Sequence, residues 1–214
     1  MSEDKVMIAT TENLRVTMEK LTEEQKNAVG MEIFDIVRQM RHHLKKDLTM
    51  GPSVAYSIHE EIDKEIKKGL EYGSMKTTCT KGCSFCCRIN VDIGYEEAEL
   101  IIDYCKEIGL DIDWNTLREQ QFRTDSSWKT LDPSMKACVF LDKQEGTCRI
   151  YEHRPANCRK YYVVTDPKLC DTETNKQVDN VASLFAYRAD ILTSAIMNIT
   201  ESGNMAKMLL KAKR

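Results

Sequence analysis

Eight of the nine cysteines fall into two groups, and the first of these narrows the choice of fold most sharply: Cys79-Thr-Lys-Gly-Cys83-Ser-Phe-Cys86-Cys87. Four thiols within nine residues exceed what core packing explains, because a core uses cysteine singly, as a small apolar residue. Gly82 in their midst marks a tight loop. A tight loop of thiolates is what a soft metal or an iron–sulfur cluster requires. The second group is more open: Cys138, Cys148, Cys158 and Cys170.

The chain has 214 residues, enough to bury roughly 70% of its unfolded surface, so it needs no crosslinks merely to stay folded. It opens Met1-Ser2-Glu3-Asp4-Lys5, without the basic and apolar regions of a signal peptide. No apolar run approaches the ~18 residues that span a bilayer. The net charge of -3 argues against a general nucleic-acid binder. The expectation is a cytoplasmic protein with no membrane and no nucleic-acid partner. Disulfides seldom persist in such a reducing compartment, so clustered cysteines there are metal ligands or catalytic groups first.

Residues 1–21 show no period and are expected to form a flexible N-terminus. Thr22-Glu23-Glu24-Gln25 reads as a capping box before an amphipathic helix carrying Val29, Ile33, Ile36, Met40, Leu44 and Leu48. Gly51-Pro52 breaks it, and Ser53 caps a second helix with Ala55, Ile58, Ile62, Ile66 and Leu70 on one face. Residues 22–72 thus form a helical hairpin. A cysteine-cluster domain is expected over 73–175, and C-terminal helices packing on it over 176–214.

Within the cysteine domain, Ile89, Val91 and Ile93 alternate like a short strand. Tyr95 to Ile108 and Trp114 to Phe122 read as helices, and residues 123–136 as a loop. Residues 137–151 read as a hairpin around Gly146. With Asp142 to Gly146 as its loop, Leu141 pairs with Thr147, and Cys138 and Cys148 share a face roughly 7 Å apart on the diagonal. Val181 to Ile199 and a last segment with Met205, Met208 and Leu209 are helical. The predicted fold is mainly α: a helical shell around an irregular cysteine-rich metal centre with a small β-hairpin.

Lys81, Arg88, Arg149, Arg154 and Arg159 flank the cysteines and would favour deprotonated thiols. Cys83-Ser-Phe-Cys86 has the form of a redox dithiol, but no alternating strand–helix pattern surrounds it. The Cys79, Cys83, Cys86 spacing also matches the triplet of radical S-adenosylmethionine enzymes, yet no strand–helix succession builds a barrel and Cys87 can close the site. Cys105 sits on an apolar helical stripe and reads as a core thiol. His42 and His43 read as a solvated face, and His153 as an exposed side chain.

A longer pattern is more specific. Cys79-x3-Cys83-x2-Cys86-Cys87, then Cys138-Val-Phe-Leu, then Cys148-Arg-Ile150-Tyr151-Glu-His-Arg154-Pro155-Ala-Asn-Cys158-Arg159, resembles the YkgJ-like cysteine-cluster family, described as zinc- or iron-chelating. Cys170 and Glu96-Glu97-Ala98 fit the same family, and the resemblance covers about residues 75–175. Ala137 stands where a proline often precedes the cysteine. The resemblance implies metal ligation by Cys79, Cys83, Cys86, Cys87, Cys138, Cys148, Cys158 and Cys170. Tyr151, Arg154 and Arg159 are motif residues that read either as an electropositive wall of a cofactor-binding site, able to hold a carboxylate or phosphate, or as structural residues, Arg154 pairing locally and Tyr151 packing over the cluster loop. Flagellin lysine methylases are more distantly similar. They carry a similar cluster and use S-adenosylmethionine, although no glycine-rich nucleotide loop follows a strand here.

All-cysteine ligation with flanking positive charge favours iron–sulfur over zinc, since only Cys83 and Cys86 have the knuckle spacing of structural zinc. The expected function is a cluster-holding protein with a redox, sensing or modification-support role. Two alternatives stand beside it: a cluster-dependent S-adenosylmethionine methyltransferase-like enzyme, and a zinc-stabilised module whose N-terminal helices dock a protein partner.

Overall fold

The computed structural model describes residues 19, 21–46, 51–72, 76–124, 127–128, 131–171 and 186–213. Most of the expected N-terminus, residues 1–18, lies outside them, as do the side chains of His42 and His43. Helix α1 (Glu23–Lys46) begins with a reciprocal cap. The Thr22 hydroxyl accepts from Gln25 N at 3.3 Å, and the Thr22 N–H donates to the Gln25 side chain at 3.0 Å. Helix α2 (Gly51–Tyr72) takes Gly51-Pro52 into its own first turn. Proline lacks an N–H where a helix start offers no acceptor, so the pair opens the second helix.

Ala55, Ile58, Ile62 and Ile66 on α2 are at most 4% exposed. Burial of each of the three isoleucines contributes about 1.5–3 kcal/mol. They pack against α7 (Tyr187–Ile196), α3 (Tyr95–Glu107) and α6 (Ala156–Lys160). Helix α1 packs chiefly on α7, with Val29 against Ile191. The expected helix from Val181 is described only from Tyr187, because 181–185 lie outside the described residues. A second core joins α3, α4 (Trp114–Gln120) and α8 (Met205–Ala212) through Ile101, Leu117, Met208 and Leu209, with Phe140 and Ile150 from the cysteine segment. Helix α5 (Pro133–Lys136) is one short turn within the expected loop.

The described residues form two small antiparallel sheets. β1 (Asp92–Gly94) pairs with β4 (Ser202–Asn204), and β2 (Leu141–Asp142) with β3 (Thr147–Cys148). Ser202-Gly203-Asn204 carries no strand-forming residue, so its sequence is silent. It becomes a strand because Asn204 is fixed as the cap of α8, accepting from Ala206 N at 2.9 Å.

The hairpin register differs from the expected one. Leu141 pairs with Cys148 and Asp142 with Thr147, leaving a loop of 143–146. The Asp142 carboxylate accepts from Gln144 N and Glu145 N, and its carbonyl from Gly146 N at 2.9 Å. Those bonds make Asp142 the last strand residue, with Gly146 closing the turn at φ 64°. Cys138 therefore lies in a turn before the strand, its carbonyl accepting from Leu141 N at 3.0 Å. The result is a mainly helical shell with a small hairpin, as the sequence predicts. Among the described residues no helix is long and apolar enough to cross a membrane.

Candidate metal centre

The first cysteine loop is fixed at both ends. Thr78 N donates to Val163 O at 2.9 Å, and Val163 N donates to Cys79 Sγ at 3.3 Å. Gly82 turns the chain at φ 88°, a region costly for any other residue. A 3-10 turn, Phe85–Arg88, then carries Cys86 and Cys87 and packs on a second such turn, Pro167–Cys170. Cys138 N donates to Cys87 O at 2.8 Å, which joins the second cysteine group to the first. The hairpin tip adds another junction: a Cβ placed on Gly146 would lie 2.7 Å from Gly82 O. Backbone meets backbone there with no room for a side chain.

All eight grouped cysteines line one cavity of about 610 Å³. Cys105 does not; it is 1% exposed in the α3 core, and burial raises its thiol to about 11. Among the described residues, no three His, Cys, Asp or Glu side chains are arranged to hold a single metal ion. The sulfurs stand around a space instead. Val163 N is the donor bonded to Cys79, and the backbone N–H groups of Phe85, Phe140 and Ile150 pull the Cys83, Cys138 and Cys148 thiols downward. Such donors favour thiolate, since a neutral thiol is a weak acceptor.

Burial wins over these donors. It holds Cys138 up at about 12 and Cys170 at about 11, and raises Cys83, Cys148 and Cys158. Cys86 is raised first by its hydrogen bond to Cys87, then by burial. Cys86 is also the hub of the site. It acts electrostatically on Cys83 and Cys170 on one side and on Cys138, Cys148 and Cys158 on the other. Cys170 feels Cys79 and Cys83 but none of the hairpin cysteines among its main neighbours.

Of the three motif residues, Tyr151 and Arg154 line the cavity and Arg159 does not. The Arg154 guanidinium stacks on the Tyr151 ring at 3.9 Å and donates to the Tyr162 hydroxyl at 3.2 Å. Arg159 pairs with Asp63 on α2 and donates to the carbonyls of Arg154 and Glu152. It braces the loop that carries Arg154. His153 is half-buried, stacked on Tyr104 at 3.9 Å, in place of the expected free exposure. Glu97 is fully buried. Its carboxylate accepts from Ala156 N at 2.7 Å and Gly94 N at 2.8 Å, and lies 2.6 Å from His59 Nε2 on α2. It thereby ties α2 to the start of the helix that bears Cys158.

Sequence reading misses one wall of the cavity: Asn90, Gln120, Arg123, Lys136 and Asn204. Arg123 and Lys136 fall in the segment expected to be loop. A basic pair beside Cys138 was the available signal, and separation in sequence hid it.

No curated protein and no solved structure matches the chain. Residues 78–182, a span holding all eight cavity cysteines, match the family model CxxCxxCC, described as a putative zinc- or iron-chelating domain, and the match supports metal binding.

Proposed function

We propose that the chain is an iron–sulfur protein of the cytoplasm, with Cys79, Cys83, Cys86, Cys87, Cys138, Cys148, Cys158 and Cys170 as ligands. The observation that carries this reading is eight sulfurs around one cavity of about 610 Å³, one of them, Cys79, accepting from the Val163 backbone N–H. Zinc bonds sulfur at about 2.3 Å, so four thiolates on one zinc nearly touch and enclose no cavity. A cluster sets its ligands further apart and fills a larger space.

The electrostatic neighbourhoods favour two sets of ligands. Cys79, Cys83 and Cys170 form one, and Cys138, Cys148 and Cys158 the other, with Cys86 and Cys87 between them. Arg154, which acts on Cys86, Cys148 and Cys158, offsets thiolate charge on the hairpin side. Tyr151 and Arg154 form the cofactor wall, and Arg159 acts by bracing it. A bound cluster supplies one-electron chemistry or an open iron for a small ligand, which suits a redox, sensing or modification-support role.

Anaerobic purification tests this. A brown protein containing iron and acid-labile sulfide is expected, with both falling in Cys86→Ser. A colourless protein with stoichiometric zinc would overturn the iron–sulfur assignment in favour of zinc.

A further inference from the structure

Two cations on the cavity wall, Lys136 buried and Arg123 half-buried, have no acidic partner among the described residues. Lys136 is 5% exposed, and its ammonium lies 4.8 Å over the Trp128 ring. Arg123 donates through Nη1 to the Lys136 carbonyl at 3.3 Å, while its Nη2 is buried without a hydrogen-bond partner among the described residues. Neither takes part in an ion pair among those residues. The pair is held in place deliberately. Gln120, 4% exposed at the end of α4, donates to the carbonyls of Ala137 at 2.9 Å and Met135 at 3.3 Å, which fixes the backbone on either side of Lys136.

Burying charge without a counter-charge is expensive, so this wall calls for an anion. The thiolates do not supply it fully. Cys138 is the one sulfur that acts on Arg123, whereas Arg154 acts on Cys86, Cys148 and Cys158. The cavity that the two cations line is also open to solvent past Lys81, Gly82 and the half-exposed Tyr151.

We propose that Arg123 and Lys136 form a subsite for an oxyanion, the carboxylate or phosphate group of a small ligand, beside Cys138 in the sulfur-lined cavity. The subsite rests on the metal-centre reading in one respect: it places the anionic ligand next to the metal. Charge-assisted hydrogen bonds from Arg123 Nη2 and Lys136 Nζ would hold two of its oxygens.

The full chain, purified anaerobically with whatever metal it carries, is titrated with inorganic phosphate and separately with acetate. Binding is read by calorimetry and by Trp128 emission, which the Lys136 contact makes sensitive to the subsite. Saturable binding of at least one anion is expected, and the tighter one names the headgroup. Arg123→Gln and Lys136→Gln should each weaken it by about tenfold or more while metal content and circular dichroism stay as in the parent. Lys106→Gln, an exposed cation on α3 that does not line the cavity, should leave anion affinity within about twofold. Absence of saturable binding, or equal binding by the parent and both glutamine variants, would overturn the proposal. So would a loss of metal in step with the loss of anion binding, which would mean that the two cations serve the metal centre's own charge. If the protein holds neither iron nor zinc yet binds phosphate through Arg123, the subsite stands and the metal-centre reading falls.

Discussion

Helices α2, α3, α7 and α8 and the segments bearing the cysteines are held by different forces. The helices bury continuous apolar stripes, such as Ile58, Ile62 and Ile66 on α2 and Met208 and Leu209 on α8. They would cohere whatever lay in the cavity. Residues 76–90 and 138–170 contain short turns, two-residue strands and single hydrogen bonds, arranged around sulfur-lined space. Their apolar anchors are few: Val139, Phe140 and Ile150 reach one core, Ala156 the other. The helical frame is stabilised by hydrocarbon, and the cysteine centre borrows its stability from that frame and from the ions it binds.

The largest test of that contrast is removal of the metal. Chelation under reducing conditions should abolish amide protection over 76–90 and 138–170 in hydrogen exchange while α2, α3 and α7 remain protected. Collapse of both regions together would erase the distinction. Acidification should have the same local effect. Burial raises the cavity thiols, Cys138 to about 12, so ligation displaces protons, and metal is retained at high pH and released as pH falls. Metal content after equilibration at pH 8 and pH 5 checks the sign.

Glu97→Ala attacks the joint between the regions. It leaves His59, Gly94 N and Ala156 N buried without their acceptor, and about 3 kcal/mol of stability should be lost. Denaturant unfolding measures the loss, and metal content should drop as well because Cys158 follows Ala156 closely. Gly146→Ala should cost about 1–2 kcal/mol, through a positive φ and a Cβ 2.7 Å from Gly82 O. Its signature is weaker metal retention with the helical signal intact. Cys105→Ala should change stability by no more than about 1 kcal/mol and metal content not at all, since Cys105 belongs to the frame. Metal loss in that variant would move the boundary between the two regions.

The same division explains what could be read from sequence. Helices with apolar stripes were legible because periodicity reports burial directly: the capping box at Thr22 and the run from Tyr95 both appear where the residues predict them. The cysteines that line the cavity were legible from their chemistry. The β1–β4 sheet was not, because Ser202 to Asn204 is a strand by virtue of its neighbours. The hairpin register turned on which residue ended the loop, and the Asp142 side chain decided that by one position. Arg123 and Lys136 were invisible as a pair because burial gives them their meaning, and burial there is set by Gln120 and the backbone of 135–137.

The contact of Gly82 with Gly146 also governs how ions would enter. With main chain against main chain, the loop bearing Cys79 to Cys87 and the hairpin bearing Cys148 are expected to move together. Ordering either half by capture of a first ion would then preform the other. Uptake should be sigmoidal, and singly filled molecules should be scarce even when the supply of iron or zinc is below saturation.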